Sequence, residues 1–236
     1  MPSPLLKVCG LRDPHQARAV AALGVDAVGV IGVAASPRFV EPARRQALFA
    51  AVAEQSQACR RVLVVADPSD QDLPLLDPAA GGHQVLQLHG DETVERCRYI
   101  RDHLAEVSIW KALRIRTPAD LDLATAYLPV VEALLLDAWV PDQLGGTGHR
   151  LPLEWLQGFR ASVPWWLAGG ITPERVPEVL ARVQPDGLDA SSGVEDGPGR
   201  KNLSRVKDLV EAVRSAGAVP PEPMAPERKA CLPLSD

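Results

Sequence analysis

Residues 5–14 read Leu5-Leu6-Lys7-Val8-Cys9-Gly10-Leu11-Arg12-Asp13-Pro14. The run from Leu5 to Val8 is short and mostly apolar, which suits a strand. Gly10 breaks it, and Asp13-Pro14 opens a helix, with proline at the first helical position. Strand, turn, helix is the repeating unit of an α/β fold, and such folds build their sites at the carboxyl ends of the strands. Cys9 stands at such an end.

The same unit recurs along the chain. Short apolar runs predict strands at 5–8, 26–33, 61–66, 85–88, 107–113, 132–136, 165–168 and 187–190. Several are almost continuously apolar, as in Val62-Leu63-Val64-Val65-Ala66, the pattern of a parallel sheet covered on both faces. Helical periodicity predicts helices at 14–23, 42–57, 93–104, 118–127, 153–160, 173–183 and 202–214. Thr117-Pro118 and Thr172-Pro173 supply a cap followed by proline, and Gly24 closes the first helix. The third helix is the weak one: Pro74 and Pro78 fall within 69–80, directly after Pro68, so only a short or broken helix fits. Eight such units predict an α/β fold of the (β/α)8 TIM-barrel type, one domain over 1–215. An open doubly wound sheet is the alternative. Its first strand normally leads into a glycine-rich phosphate fingerprint, and Cys9-Gly10-Leu11-Arg12 is not one.

Composition narrows the function. A length of 236 residues suits one barrel, and 46% hydrophobic residues suffice for its core. The net charge of −5 argues against a nucleic-acid partner. No apolar run approaches the roughly 18 residues of a membrane helix, and the N-terminus lacks the layout of a signal peptide, so the cytoplasm is expected. Cys9, Cys59, Cys97 and Cys231 have no metal-ligand spacing, and the five histidines are scattered, so neither a disulfide framework nor a metal site is expected. From about Ala216 the chain changes character. Pro220, Pro221, Pro223, Pro226 and Pro233 crowd a segment without periodicity, so 216–236 reads as a tail that does not fold with the domain.

In a barrel, the segments after the strands open on one rim. Here they carry Ser36-Pro37-Arg38, Leu88-His89-Gly90-Asp91-Glu92, Asp137 followed by Gly145-Gly146-Thr147-Gly148, Gly169-Gly170, and Ser191-Ser192-Gly193. Glycines after strands seven and eight let backbone N–H groups approach a phosphate; alone, each is equally a tight turn. Cys9 is either a small buried hydrophobe or a thiol that accepts a proton, since a cationic or phosphate-binding setting makes a thiol partly thiolate. Asp137 is not a cap, because the sixth helix starts only near Leu153. Arg38 is either a solvated charge or a fork for a carboxylate. His89 fits a core position as well as a substrate contact.

The set Lys7-Val8-Cys9-Gly10-Leu11, Ser36-Pro37-Arg38, Gln87-Leu88-His89-Gly90, Leu135-Leu136-Asp137, Gly145-Gly146-Thr147-Gly148, Leu167-Ala168-Gly169-Gly170 and Ser191-Ser192-Gly193-Val194-Glu195 resembles the phosphoribosylanthranilate isomerase family. The likeness runs from about Lys7 to Arg214. It implies a (β/α)8 barrel and an Amadori rearrangement of N-(5-phosphoribosyl)anthranilate to 1-(2-carboxyphenylamino)-1-deoxyribulose 5-phosphate in tryptophan biosynthesis, with no metal or organic cofactor. It places the general base on Cys9, the general acid on Asp137, the anthranilate contact on Arg38 and the phosphate site on Gly169, Gly170, Ser192 and Gly193. Gly146 is read with the phosphate contacts and His89 with the substrate contacts. The partner implied is a small phosphorylated aminosugar, with association with other tryptophan-pathway enzymes as a further expectation.

The residue types suit that chemistry. Asp137 protonates the furanose oxygen, and burial or a nearby negative charge keeps such an acid protonated. Cys9 as thiolate takes the C2′ proton of the opened Schiff base, and the enolamine tautomerises to the ketone. Two segments depart from the family pattern. Ile31-Gly32-Val33-Ala34-Ala35 lacks the usual aromatic, and Leu153-Glu154-Trp155 stands where Phe-Asp-Trp is usual. The related aminoaldose isomerase of histidine biosynthesis carries aspartate at the end of strand one, so Cys9 argues against it. A non-catalytic phosphate-binding barrel is expected to have lost Cys9 or Asp137.

Overall fold

The computed structural model describes residues 3–104, 106–138 and 150–218. Eight parallel strands close into a barrel: β1 Leu5–Cys9, β2 Ala27–Ile31, β3 Arg60–Val65, β4 Val85–Leu88, β5 Ser108–Ile115, β6 Ala133–Ala138, β7 Trp165–Leu167 and β8 Gly187–Ala190. Closure comes from β1 pairing β8, with Lys7 opposite Asp189 and Val8 opposite Ala190. All eight predicted strands are present. The largest shifts are at β2, which stops two residues before its predicted end, and at β5 and β6, which run two residues past theirs.

The helices follow the sequence less closely. Helix α1, Pro14–Ala22, starts as expected: Asp13 accepts from the Gln16 amide at 2.9 Å, and Gly24 takes a φ of 83° just past its end. Helix α2 spans Pro42–Gln55. The proline-rich third segment is broken as predicted, into a 3-10 turn at Asp70–Leu76 and the one-turn α3, Pro78–Gly81. Helix α4, Val94–His103, is capped by Thr93. The fifth segment is a 3-10 turn at Pro118–Leu123 running into the one-turn α5, Ala124–Tyr127. The sixth predicted helix, 153–160, is corrected to a 3-10 turn at Leu153–Leu156, ended by Gly158 at a φ of 79°. Helix α6 is Val176–Arg182; turns from Thr172 precede it, so its start signal stands a turn early. Helix α7, Leu203–Ala218, runs past the predicted boundary at 215.

Side chains alternate between two cores. One face of every strand packs under the helices, where Val8, Val28, Leu63, Leu86, Ile109, Leu134, Leu136 and Leu188 are buried with helix residues such as Val20, Phe49, Ile100 and Leu209. The other face fills the lumen with Val62, Val85, Ala112, Leu135, Trp110 and Trp166. The two indoles stack with centroids 5.0 Å apart. Trp166 fits because Gly187 lies opposite it; a Cβ there falls 2.2 Å from the indole. This plug closes the barrel beneath the site.

Candidate active site

The alternation that fills the lumen also aims the site residues. Ala133 and Leu135 of β6 face inward, so Asp137 does too. It lies inside β6 rather than beyond it, which corrects the predicted strand end at Leu136. Cys9 is the last residue of β1 and also faces inward. Its partner across the sheet is Gly29. A Cβ on Gly29 falls 2.6 Å from the Cys9 sulfur and 3.1 Å from its Cα, so the missing side chain is what makes room for the thiol. Cys9, Asp137, Arg38, His89, Gly169, Gly170, Ser192 and Gly193 line one cleft at the carboxyl ends of the strands, open to solvent. Gly146 lies outside the described residues.

The base and acid candidates have different surroundings. Burial pushes the Cys9 thiol up, while the Lys7 and Lys201 charges pull it down and Asp189 adds to the rise. Burial is the largest of these effects and leaves the thiol above its ordinary range, with the two lysine charges opposing it. Asp137 is buried, and its Oδ2 lies 3.3 Å from His89 Nε2. The other ring nitrogen, Nδ1, meets Gln87 Nε2 at 2.9 Å. In the tautomer in which Nδ1 accepts from that amide, Nε2 carries the ring proton. His89 lines the cleft, with Nε2 close to Asp137 but outside hydrogen-bond geometry.

Arg38 is not a free fork. Its Nε reaches both oxygens of Glu195 at 3.0 and 3.1 Å, and its Nη2 reaches Oε2 at 2.7 Å. The Lys201 ammonium holds the same carboxylate at 2.6 Å. Glu195 starts a rim hairpin of β9, Glu195–Gly197, and β10, Arg200–Lys201. The two cations outweigh burial and hold the Glu195 carboxyl below its usual range. Ile31 and Val33 line the cleft beside Arg38, where the family's aromatic is missing.

The loops after β7 and β8 are held from behind. Gly169 and Gly170 take φ of 88° and 62°, values that favour glycine. Arg175 donates to the Gly169 carbonyl at 2.7 Å, Lys201 to that of Ser191 at 3.2 Å and Arg205 to that of Gly193 at 3.1 Å. The loops touch at Gly193, where a Cβ falls 2.1 Å from the Ile171 carbonyl oxygen.

Six residues at the site carried no role in the sequence: Lys7, Gln87, Arg175, Asp189, Glu195 and Lys201. The first two had a usable signal. Lys7 stands two residues before Cys9 and Gln87 two before His89, so each shares an inward face with a suspected site residue.

The sequence profile of N-(5'-phosphoribosyl)anthranilate isomerases matches residues 6–212. The chain belongs to the phosphoribosylanthranilate isomerase family. It is 45% identical to the isomerase of Synechococcus elongatus over 208 residues, 88% of this chain and 95% of that one. The Synechocystis isomerase is also 45% identical, over 206 residues, 86% of this chain and 93% of that one. The phosphoribosylanthranilate isomerase structure from Thermotoga maritima superposes with a TM-score of 0.79 at 26% identity, covering 90% of this chain and 99% of that one. The isomerase from Thermus thermophilus gives 0.75 at 31% identity, covering 89% and 98%. A phosphoribosylanthranilate isomerase solved with reduced 1-(o-carboxyphenylamino)-1-deoxyribulose 5-phosphate gives 0.73 at 26% identity, covering 90% and 99%. Within this isomerase family, Cys9 and Asp137 stand at the mouth of a shared barrel.

Proposed function

We propose that this protein isomerises N-(5-phosphoribosyl)anthranilate to 1-(2-carboxyphenylamino)-1-deoxyribulose 5-phosphate with Cys9 as base and Asp137 as acid. The reaction is an isomerase step of tryptophan biosynthesis, as the family implies. The observation that carries the assignment is the placing of one thiol and one carboxyl in a single cleft, on β1 and β6, three strands apart around the barrel. A sugar held between them meets an acid on one side and a base on the other.

The glycine loops after β7 and β8 take the phosphate, and the remaining face of Arg38 takes the anthranilate carboxylate. Asp137 protonates the ring oxygen, the C1′–O bond breaks, and a Schiff base forms at C1′. The Cys9 thiolate removes the C2′ proton. The enolamine then gains a proton at C1′ and loses one from its 2′-hydroxyl, which leaves the ketone. A thiol that burial pushes up is less often ionised, yet its thiolate is a stronger base toward carbon. Every proton transfer falls to a side chain or the substrate, and no metal is asked for. The isomerase acts in the cytoplasm on a small phosphorylated aminosugar, in association with other enzymes of its pathway, and residues 219–236 lie outside its catalytic domain.

The test is to incubate purified protein with phosphoribosylanthranilate and follow C1′ by NMR. Appearance of a C1′ methylene, unaffected by chelator, supports the reading. An unchanged aminoaldose, or activity that chelation removes and a divalent ion restores, refutes it. The histidine-pathway aminoaldose is the control substrate.

A further inference from the structure

Lys7 takes no part in the steps above, yet it lies just beneath them. It is fully buried in the lumen, on the same face of β1 as Cys9. Its ammonium donates to Asp189 Oδ2 at 2.9 Å, and its positive charge favours the thiolate of Cys9, two residues on along the same strand. Asp189 uses only one oxygen this way; Oδ1 is buried without a hydrogen-bond partner. A buried ion pair with an unsatisfied carboxylate oxygen is a poor device for stability, because an apolar pair of similar volume does as well. Its place beside the sulfur suggests an electrostatic role instead.

A thiolate with little access to water needs a counter-charge in the protein. The charged and titratable groups around Cys9 are Lys7 on its own strand, Asp189 on β8 and Lys201 on β10. Across the mouth stand Asp137 and His89, and at the rim Arg38 and Glu195. Lys201 is committed to Glu195 and the Ser191 carbonyl, and Arg38 to Glu195. Lys7 is the cation left on the inward face of the strand that carries Cys9, and the carboxylate it pairs with is Asp189.

We propose that Lys7 is a positioning residue for the isomerisation: its ammonium, paired with Asp189 on the inward face of the strand that carries Cys9, supplies the counter-charge for the thiolate and so sets how much base is present. The thiol proton leaves to solvent through the open cleft before substrate binds. The proposal rests on Cys9 being the base.

The test uses the full chain and three variants, Lys7→Met, Asp189→Asn and the two combined. Two readouts are taken against pH: alkylation of Cys9 by iodoacetamide, quantified on its own peptide by mass spectrometry, and kcat/KM. Lys7→Met should move the alkylation midpoint up, with at least a tenfold slower reaction at pH 8. Asp189→Asn should move it down, and the double variant should fall between. The kcat/KM profile should follow in each. A merely structural pair would shift both single variants in the same direction, or neither, and either result overturns the proposal. If Lys7→Met does not fold, the downward shift in Asp189→Asn and the charge-balanced double variant still decide. If the alkylation midpoints move as stated but kcat/KM does not follow, Lys7 controls the thiol while Cys9 is not the base. That outcome overturns the catalytic assignment and the positioning role together.

Discussion

Arg38 and Glu195, far apart in the chain, form a two-pronged ion pair at the rim of the barrel, with the 2.7 Å contact at Nη2 the shortest. The pair ties the loop after β2 to the hairpin after β8. Only one edge of the guanidinium is left for a ligand, so Glu195 sets the direction in which Arg38 presents its charge. Arg38→Ala should therefore raise KM about tenfold or more while kcat falls less, because the contact is made in ground and transition states alike. Glu195→Gln should move KM the same way by a smaller factor, and Arg38→Lys should recover only part of the loss. Steady-state assays that leave KM unchanged in all three would refute the role.

Removal of either proton-transfer group should act on turnover. Cys9→Ala and Asp137→Asn are each expected to lower kcat by about 10²-fold or more, the scale of general acid–base catalysis. Thermal melts should show both variants folded. More than roughly a third of wild-type turnover in either would show that its side chain is not the acid or base.

Gly29 is tested by its neighbour. With a Cβ 2.6 Å from the Cys9 sulfur and 3.1 Å from Cys9 Cα, Gly29→Ala must displace the thiol or the strand. Overpacking of this kind costs about 1–3 kcal/mol. Urea unfolding should show that loss, and kcat should drop further than the unfolded fraction explains. A variant with wild-type kcat would mean that the thiol position is not critical.

His83 gives the fold an acid limit. Burial holds its imidazole down at about 4, against the pull of the Leu76 carbonyl. In the unfolded chain it titrates near 6.5. The folded value is the lower one, so the stability tied to neutral His83 is fully present above about pH 6.5 and is lost as pH falls toward 4. The loss is on the order of 3 kcal/mol at most. His83→Leu should flatten the change in urea midpoint between pH 7 and pH 4.5, and equal slopes in both proteins would exclude His83 as the cause.

Deletion of residues 219–236 should leave fold and activity nearly intact. The segment holds five prolines, no apolar period and no barrel motif. Melting temperature and kcat/KM of the shortened and full chains make the comparison. A drop of more than about 5 °C, roughly 2 kcal/mol for a chain of this size, would show that the segment packs on the barrel.

Sequence alone determined the eight strands, their order and the rim segments that carry Cys9, Arg38, His89, Asp137 and the glycine pairs. These follow from short-range causes: apolar runs, the two-residue alternation of a strand, and glycine or proline at turns. The same local view overreached at 153–160, where an apolar pattern continued into Gly158 and only a 3-10 turn formed. What the tertiary structure decided are the partners. Lys7 meets Asp189 across 182 residues, and Arg38 meets Glu195 across 157, because barrel closure brings β8 and its hairpin against β1 and the loop after β2. Whether Arg38 stands free, whether Cys9 keeps its proton and which way the His89 ring faces depend on charges and burial supplied by distant strands, and no local pattern encodes these.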